Sequence, residues 1–320
     1  MEPPVDPTVT EVGEFSLIDR ATARRRQPAT TEIGPGDDAA VVRAPDGRVA
    51  MSIDMLVEGR HFRLDWSSPR DVGAKAVAQN AADIAAMGAR PTAFVVGIGC
   101  PPTTASSVLD ELSDGIGSAA EELGAGVVGG DLVQAPSLIV SVTVLGDLEG
   151  RAAVERSGAR DGDVVAVAGP LGRSAAGYAL LREGITDGPL VDSHRVPTPP
   201  YASALAAARG GAHAMIDVSD GLLADVGHIA AASGVVVDID SAAVPVDPAV
   251  ARVAAERGVV AALDWTLTGG EDHAFAATFA DGTVPAGWTV IGTVRAASPD
   301  AGVLVDGVSW TGSPSWESFT

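Results

Sequence analysis

Two rhythms of apolar residues run along the chain. EFSLIDRATARRR, residues 14–26, has apolar positions at helical spacing and a basic end, which predicts a helix after a loose tail over residues 1–13. DDAAVVRAPDGRVAMSID, residues 37–54, predicts two short strands around the turn APDG. An Ala-rich stretch opens at Ser68-Pro69 and stops at Gly88, as a long helix would. The strand PTAFVVGIGC, a helix over residues 103–124 and the strands AGVVGGD and SLIVSVTVLGD follow. The pattern breaks near residue 149, where GDLEGRAAVERSGARDGD interrupts it. Beyond lie the strand VVAVAG, the helix SAAGYALLREG, a Pro-rich loop over residues 187–200 and a helix ending near Gly210. AMIDVSD (strand), GLLADVGHIAAASG (helix), VVVDID (strand), a helix over residues 248–257 and the strands HAFAATF and WTVIGTV complete the chain. Strands and helices alternate in both parts, so the expected class is α/β (α+β), in two domains spanning 1–149 and 150–320.

Length agrees with that division, since 320 residues exceed one ordinary core. With 46% hydrophobic and 20% charged residues the chain folds into cores. A formal net charge of −21 argues against nucleic acid or an anionic membrane as partner and leaves bound cations as a use for the excess. The single cysteine, Cys100, cannot form an internal disulfide and reads as a small buried hydrophobe. The N-terminus MEPPVDPTVTEVGEF is unlike a signal peptide, and no apolar run approaches the ~20 residues that span a bilayer. A soluble, cytoplasmic protein is the expectation.

Familiar nucleotide and hydrolase signatures are missing. The chain has no G-x-x-x-x-G-K-[ST], no G-x-G-x-x-G after a strand, no G-x-S-x-G, no H-E-x-x-H and no paired-Cys zinc pattern. What recurs is aspartate at strand ends or on an Ala-rich helix: Asp37 and Asp38, Asp54, Asp83, Asp131, Asp217 and Asp220. Each has a structural explanation as a turn or cap, Asp220 before GLLADV among them. Asp83 is the exception, because an aspartate among helical alanines needs a partner if it is buried. Asp37 and Asp38 point to opposite faces once a strand has begun, so one of them reaches a given site more easily. If these carboxylates converge, pairs 4 Å apart repel by about 4 kcal/mol at an effective dielectric of about 20. Hard cations, Mg²⁺ above all, are the natural partners of such oxygen-rich sets.

GEFSLIDR, GPGDDAAVV, SIDMLVEGRHF, KAVAQNAADIAAMGARP, VVGGDL, ERSGARDGD, GRSAAGYALL, IDVSDGLLADVGHIAAASG, LTGGEDHAF and SPSWESF run in order through nearly the whole chain. Together they resemble the thiamine-monophosphate kinases of the PurM-like, or aminoimidazole-ribonucleotide-synthetase-like, superfamily. The resemblance implies an N-terminal domain that binds ATP and metal and pairs its mixed sheet with a twin across a homodimer, and a C-terminal α/β domain. It implies ATP-dependent phosphorylation of thiamine monophosphate to thiamine diphosphate, with several Mg²⁺ ions. Carried over by motif, the metal ligands are Asp38, Ser52, Ile53, Asp54, Asp83, Asp131, Asp217 and Asp220, with Asp131 and Asp220 central to catalysis. Gly130, Asp131, Arg156 and Ser219 would contact ATP. His61, Glu271 or Asp272, and Trp316 would contact the thiamine substrate. The family often has Thr where this chain has Ile53, which matters only if the side chain rather than the carbonyl is the ligand.

The chemistry is consistent with these residues. A phosphate monoester with a second pKa near 6 is already largely ionised at neutral pH, so an acceptor of this kind needs no general base. Arg156 could fork onto a phosphate, and Trp316 could face a cationic ring at about 0.5–2 kcal/mol. Each also has a plainer role: Arg156 as a surface ion pair, Trp316 as a tail anchor, Glu271 and Asp272 as turn and cap, His61 as a structural histidine. Two alternatives compete with the kinase reading: a sister PurM-like synthetase, and a non-catalytic acidic module that binds divalent ions.

Overall fold

The computed structural model describes residues 6–23, 25, 27–36, 39–258, 261–296 and 302–311. Asp37, Asp38 and Trp316 lie outside the described residues. The chain divides into two compact units, Met1–Ile84 with Arg90–Gly150, and Ala85–Ala89 with Arg151–Thr320. The expected two-part mixed α/β architecture is therefore what the structure shows. Among the described residues no helix is long and apolar enough to cross a membrane.

The first unit runs α1 (Val9–Val12), α2 (Glu14–Thr22), β1 (Thr31–Ile33), β2 (Val41–Val42), β3 (Ala50–Val57), α3 (Pro69–Ala86), β4 (Arg90–Cys100), α4 (Ser106–Glu122), β5 (Gly126–Gln134) and β6 (Ile139–Asp147). Four strands form a sheet in the order β3-β6-β4-β5, antiparallel except for the β4/β5 pair that α4 connects. Val140, Val142 and Val144 of β6 are buried in strict alternation, so one face of the sheet is a core face. Leu109, Leu112, Ile116 and Ala120 line the buried stripe of α4 at helical spacing. Along α3 Val72, Ala76, Val77, Ala81, Ala82, Ile84 and Ala85 are all buried. Small side chains let α3 and α4 touch backbone to backbone: a Cβ at Gly73 would overlap the Leu112 carbonyl, and one at Gly115 would overlap that of Arg70. Cys100 is buried, as expected of a small hydrophobe.

Two N-terminal expectations change. The tail contains a helical turn, α1, closed by a capping box between Thr8 and Glu11 and tied to the Thr104 carbonyl through Val9 N–H at 2.8 Å. Helix α2 ends at Thr22 instead of continuing through the basic run.

The second unit contains β7 (Val164–Ala168), α5 (Arg173–Arg182), α6 (Pro189–Arg195), α7 (Tyr201–Arg209), β8 (Ala214–Val218), α8 (Leu222–Ser233), β9 (Val236–Ile239), α9 (Pro248–Arg257), α10 (Ala262–Thr268), β10 (Ala274–Phe279), β11 (Thr289–Arg295), β12 (Val303–Val305) and β13 (Val308–Ser309). Seven strands make one sheet, ordered β13-β12-β9-β11-β7-β10-β8, with only β12/β9 parallel. Strands β8 and β10 are buried along their whole length, which explains their mainly apolar sequences and leaves Asp217 of β8 and Thr278 of β10 as polar side chains inside the core. The segment read as a Pro-rich loop holds α6, because Pro189 stands at the helix start where its missing N–H costs nothing. Helix α10 escaped the sequence pattern because WTLT is rich in β-branched residues; buried Thr266 and Leu267 hold it in place.

Candidate active site

Strand β3 carries three of the expected ligands on alternating faces. Ser52 and Asp54 point toward α3, and the hydroxyl of Ser52 donates to Asp83 Oδ2 at 2.6 Å. The half-buried Asp83 thus has its partner on the neighbouring strand. One turn earlier on α3, buried Asn80 accepts the Asp54 N–H through Oδ1 at 3.0 Å and donates to the Ala76 carbonyl at 2.8 Å. Because β3 is an edge strand, this amide gives the Asp54 backbone N–H a partner that no further strand supplies. Ile53 points to the other face and is 61% exposed, so any part it plays beside Ser52 and Asp54 goes through its main chain.

Asp131 lies inside β5, which continues past it to Gln134 instead of ending there as the sequence suggested; it is exposed, and its Oδ1 accepts the N–H of Leu132 at 3.0 Å. The register Met55↔Ser141↔Gly97↔Asp131 places it on the face of Ile53, opposite Ser52 and Asp54. Gly130 beside it is required sterically, since a Cβ would overlap the Val96 carbonyl. A cavity of 780 Å³ opens next to this pair, walled by Ile18, Val95, Ile98, Val127 and Leu145, with Phe15 at its lining. His61 follows β3 in a tight turn; its Nδ1 accepts the Val57 N–H at 3.1 Å, which leaves the proton of the neutral ring on Nε2.

The second unit has its own acidic group. Asp217 on β8 is buried and faces His273 Nδ1 at 3.1 Å. Ser219 lies just past the strand end, and its carbonyl accepts the Glu271 N–H at 2.7 Å. Asp220 does not cap α8. Instead Asp225, within the first turn of α8, reaches back, and its Oδ2 accepts from the N–H groups of Asp220 and Gly221 at 3.0 Å each. Burial, with the nearby charge of Asp217, pushes the Asp225 carboxyl up to about 7. Gly221 needs its positive φ of 124°, and a Cβ there would meet Thr268. Asp225 and Gly221 therefore fix the direction in which exposed Asp220 leaves the chain.

The GGEDH turn separates Glu271 from Asp272. Asp272 is buried and caps α5: its two carboxylate oxygens accept from Gly172 N–H at 2.5 Å and Ser174 N–H at 2.8 Å. Glu271, at φ 64°, keeps a partly exposed carboxylate 3.5 Å from His194 Nδ1, and that nitrogen lies 2.9 Å from the Ser174 hydroxyl. Arg156 is exposed, with no side-chain hydrogen bond or ion pair among the described residues. Sequence reasoning missed Asn80, Asp225 and His194; an acid at the fourth residue of a helix, able to reach back to its start, was the available signal for Asp225.

Desolvation outweighs the helix N–H groups at Asp272 and raises its carboxyl to about 7. The unfolded value is about 3.9, so the folded state holds this proton more tightly. The resulting stability is complete below pH 4 and is lost as pH rises toward 7, by up to about 1.4 kcal/mol per pH unit. Between pH 5 and 8 the wild-type melting temperature is expected to fall relative to that of Asp272→Asn. Parallel curves for the two proteins would contradict the raised carboxyl.

All these donors are oxygens, the set a hard cation takes. Among the described residues no three acidic, histidine or cysteine side chains are gathered closely enough to cage a metal ion. The set fits an ion that keeps waters and phosphate oxygens and borrows one or two carboxylates from the protein.

Known protein families match both halves of the chain. Residues 36–148 match the AIR synthase related protein N-terminal domain, and residues 160–297 its C-terminal domain. The fold is that of the AIR-synthase-related proteins, in both halves. Thiamine-monophosphate kinase of Mycobacterium tuberculosis H37Rv is 57% identical over 98% of this chain and 93% of its own; that of Corynebacterium glutamicum is 40% identical over 98% and 95%. The crystal structure of the thiamine-monophosphate kinase from Stenotrophomonas maltophilia K279a superposes with a TM-score of 0.79 at 32% identity, over 93% of this chain and 98% of that one. AaThiL complexed with AMPPCP and TMP gives 0.78 at 30% identity, over 96% and 98%. The chain belongs to the thiamine-monophosphate kinase family, a family of phosphotransferases.

Proposed function

We propose that the protein transfers the γ-phosphoryl group of ATP to thiamine monophosphate, giving ADP and thiamine diphosphate, by direct in-line attack. The observation that carries this is the 57% identity to a thiamine-monophosphate kinase across 98% of the chain. Supporting it, each unit presents carboxylates and hydroxyls, as suits an acceptor that is already ionised at pH 7.

Mg²⁺, when bound, neutralises the phosphates and reduces their mutual repulsion. In the first unit Ser52, the Ile53 carbonyl, Asp54 and Asp83 would hold it on one face of the sheet and Asp131 on the other, with Asp38 joining them; separate ions follow from the opposite faces. In the second unit Asp217 and Asp220 are the ligands, and Asp225 orients Asp220. Gly130, Ser219 and the exposed Arg156 serve ATP, with the apolar cavity beside Gly130 suited to its base. His61 donates from Nε2 to a substrate phosphate oxygen. Glu271 and Trp316 face the cationic thiamine end, while Asp272 positions Glu271 through the turn they share. The first 149 residues act as the ATP, metal and dimerisation domain, and residues 150–320 as the second domain. The test is ADP release assayed with thiamine monophosphate, thiamine and aminoimidazole precursors: activity with the first alone supports the reading, and activity with a precursor alone replaces it with a sister synthetase.

A homodimer through the first sheet is part of this proposal. Met51, Ile53 and Met55 are 71%, 61% and 51% exposed on one face of β3, and Val133 of β5 is exposed on the same face. An apolar stripe of this kind marks an interaction surface. Ile53→Glu is expected to convert the dimer to a monomer in light scattering; an unchanged mass would exclude this face.

A further inference from the structure

Lys75 lies on α3 at 2% exposure. Lysine is almost never buried so completely, because its ammonium must be stripped of water. A methionine would fill the same space without that cost. The position therefore needs the donor.

The donor has a defined use. Lys75 Nζ donates to the His61 carbonyl at 3.1 Å. His61 closes a turn in which the Val57 carbonyl accepts from Arg60 and His61 N–H at 3.1 and 3.0 Å, and Gly59 N–H donates to the Phe62 carbonyl at 2.8 Å. Phe62 is buried, anchoring the far side of the turn. The imidazole is held from one side by Val57 N–H on Nδ1, and the main chain of the same residue from the other by Lys75. Asn80 and Asp83, further along α3, hold Asp54 and Ser52 in the same way. One helix thus fixes the segment 52–61 at three points, and Lys75 is the point nearest His61.

We propose that Lys75 is a positioning residue for thiamine monophosphate: it locks the His61 turn so that the Nε2 proton is presented to the substrate phosphate. The inference rests on His61 being a substrate contact, as read above. In this role Lys75 touches no reactant. Its loss affects capture of the acceptor and leaves ATP handling alone.

Lys75→Met tests this, with kcat, both KM values and melting temperature measured. The expected result is a KM for thiamine monophosphate raised roughly tenfold, with kcat and the KM for ATP within about twofold of wild type and a melting temperature equal or higher. In ¹⁵N spectra the His61 ring nitrogens shift away from the Nε2-protonated pattern. If Lys75→Met does not fold, Lys75→Gln is held to the same criteria. Unchanged KM for thiamine monophosphate, or equal rises in both KM values, overturns the role. His61→Asn separates the two readings. A raised KM there with an unchanged KM in the Lys75 variant removes Lys75 alone. An unchanged KM in His61→Asn removes the substrate contact on which the inference stands.

Discussion

Replacing Asp131 or Asp220 with asparagine is expected to lower turnover at least about 10²-fold while leaving the fold in place. Both side chains are exposed, and asparagine has nearly the same shape. Among the described residues the Asp131 carboxylate accepts one hydrogen bond, from the N–H of Leu132, which an amide oxygen can also accept. Asp220 is directed by Asp225 and Gly221 through its own backbone, which the substitution does not touch. What changes is one negative charge, which is the property a cation carrying two phosphates requires. Rates of ADP release at saturating ATP, read alongside melting temperature, check this. Wild-type turnover in both variants would remove these two residues from the metal set.

Gly115→Ala is expected to cost about 3 kcal/mol or more of stability. The new methyl group would be driven into the backbone of Arg70, which cannot swing aside as a side chain can. Gly73 faces α4 in the reciprocal position, so neither helix can retreat without opening the packing of Leu112 and Ile116. Gly129→Ala is the control, since a Cβ there meets nothing within 4 Å. Urea denaturation should show a lower midpoint for Gly115→Ala and little change for the control. Equal midpoints would mean that α3 and α4 are further apart than described.

Those glycines also show what the sequence made legible. Gly73 and Gly115 interrupt strong helical patterns, a known sign of close approach, yet the partner helix could be found only in the fold. The long strands and helices were readable because each carries an unambiguous period or a Pro/Gly boundary, as α3 does between Pro69 and Gly88. Helices α6 and α10 and strands β12 and β13 were not, being short and set by tertiary packing. At the candidate site Asp83 announced its need for a partner, and Ser52 is that partner. Asn80, Lys75 and Asp225 did not stand out, because a polar residue on a helix normally reads as a solvated face and only the structure reveals its burial. The split between Glu271 and Asp272 likewise needed the α5 N–H groups that claim Asp272.

The central claim is that these scattered carboxylates serve to hold magnesium against phosphate. The most direct measurement is calorimetric titration of a non-hydrolysable ATP analogue into the protein, with Mg²⁺ and with chelator. The account predicts saturable binding with Mg²⁺ that is abolished by chelator and weakened in Asp131→Asn. Equal affinity with and without the metal, or no nucleotide binding at all, would contradict it.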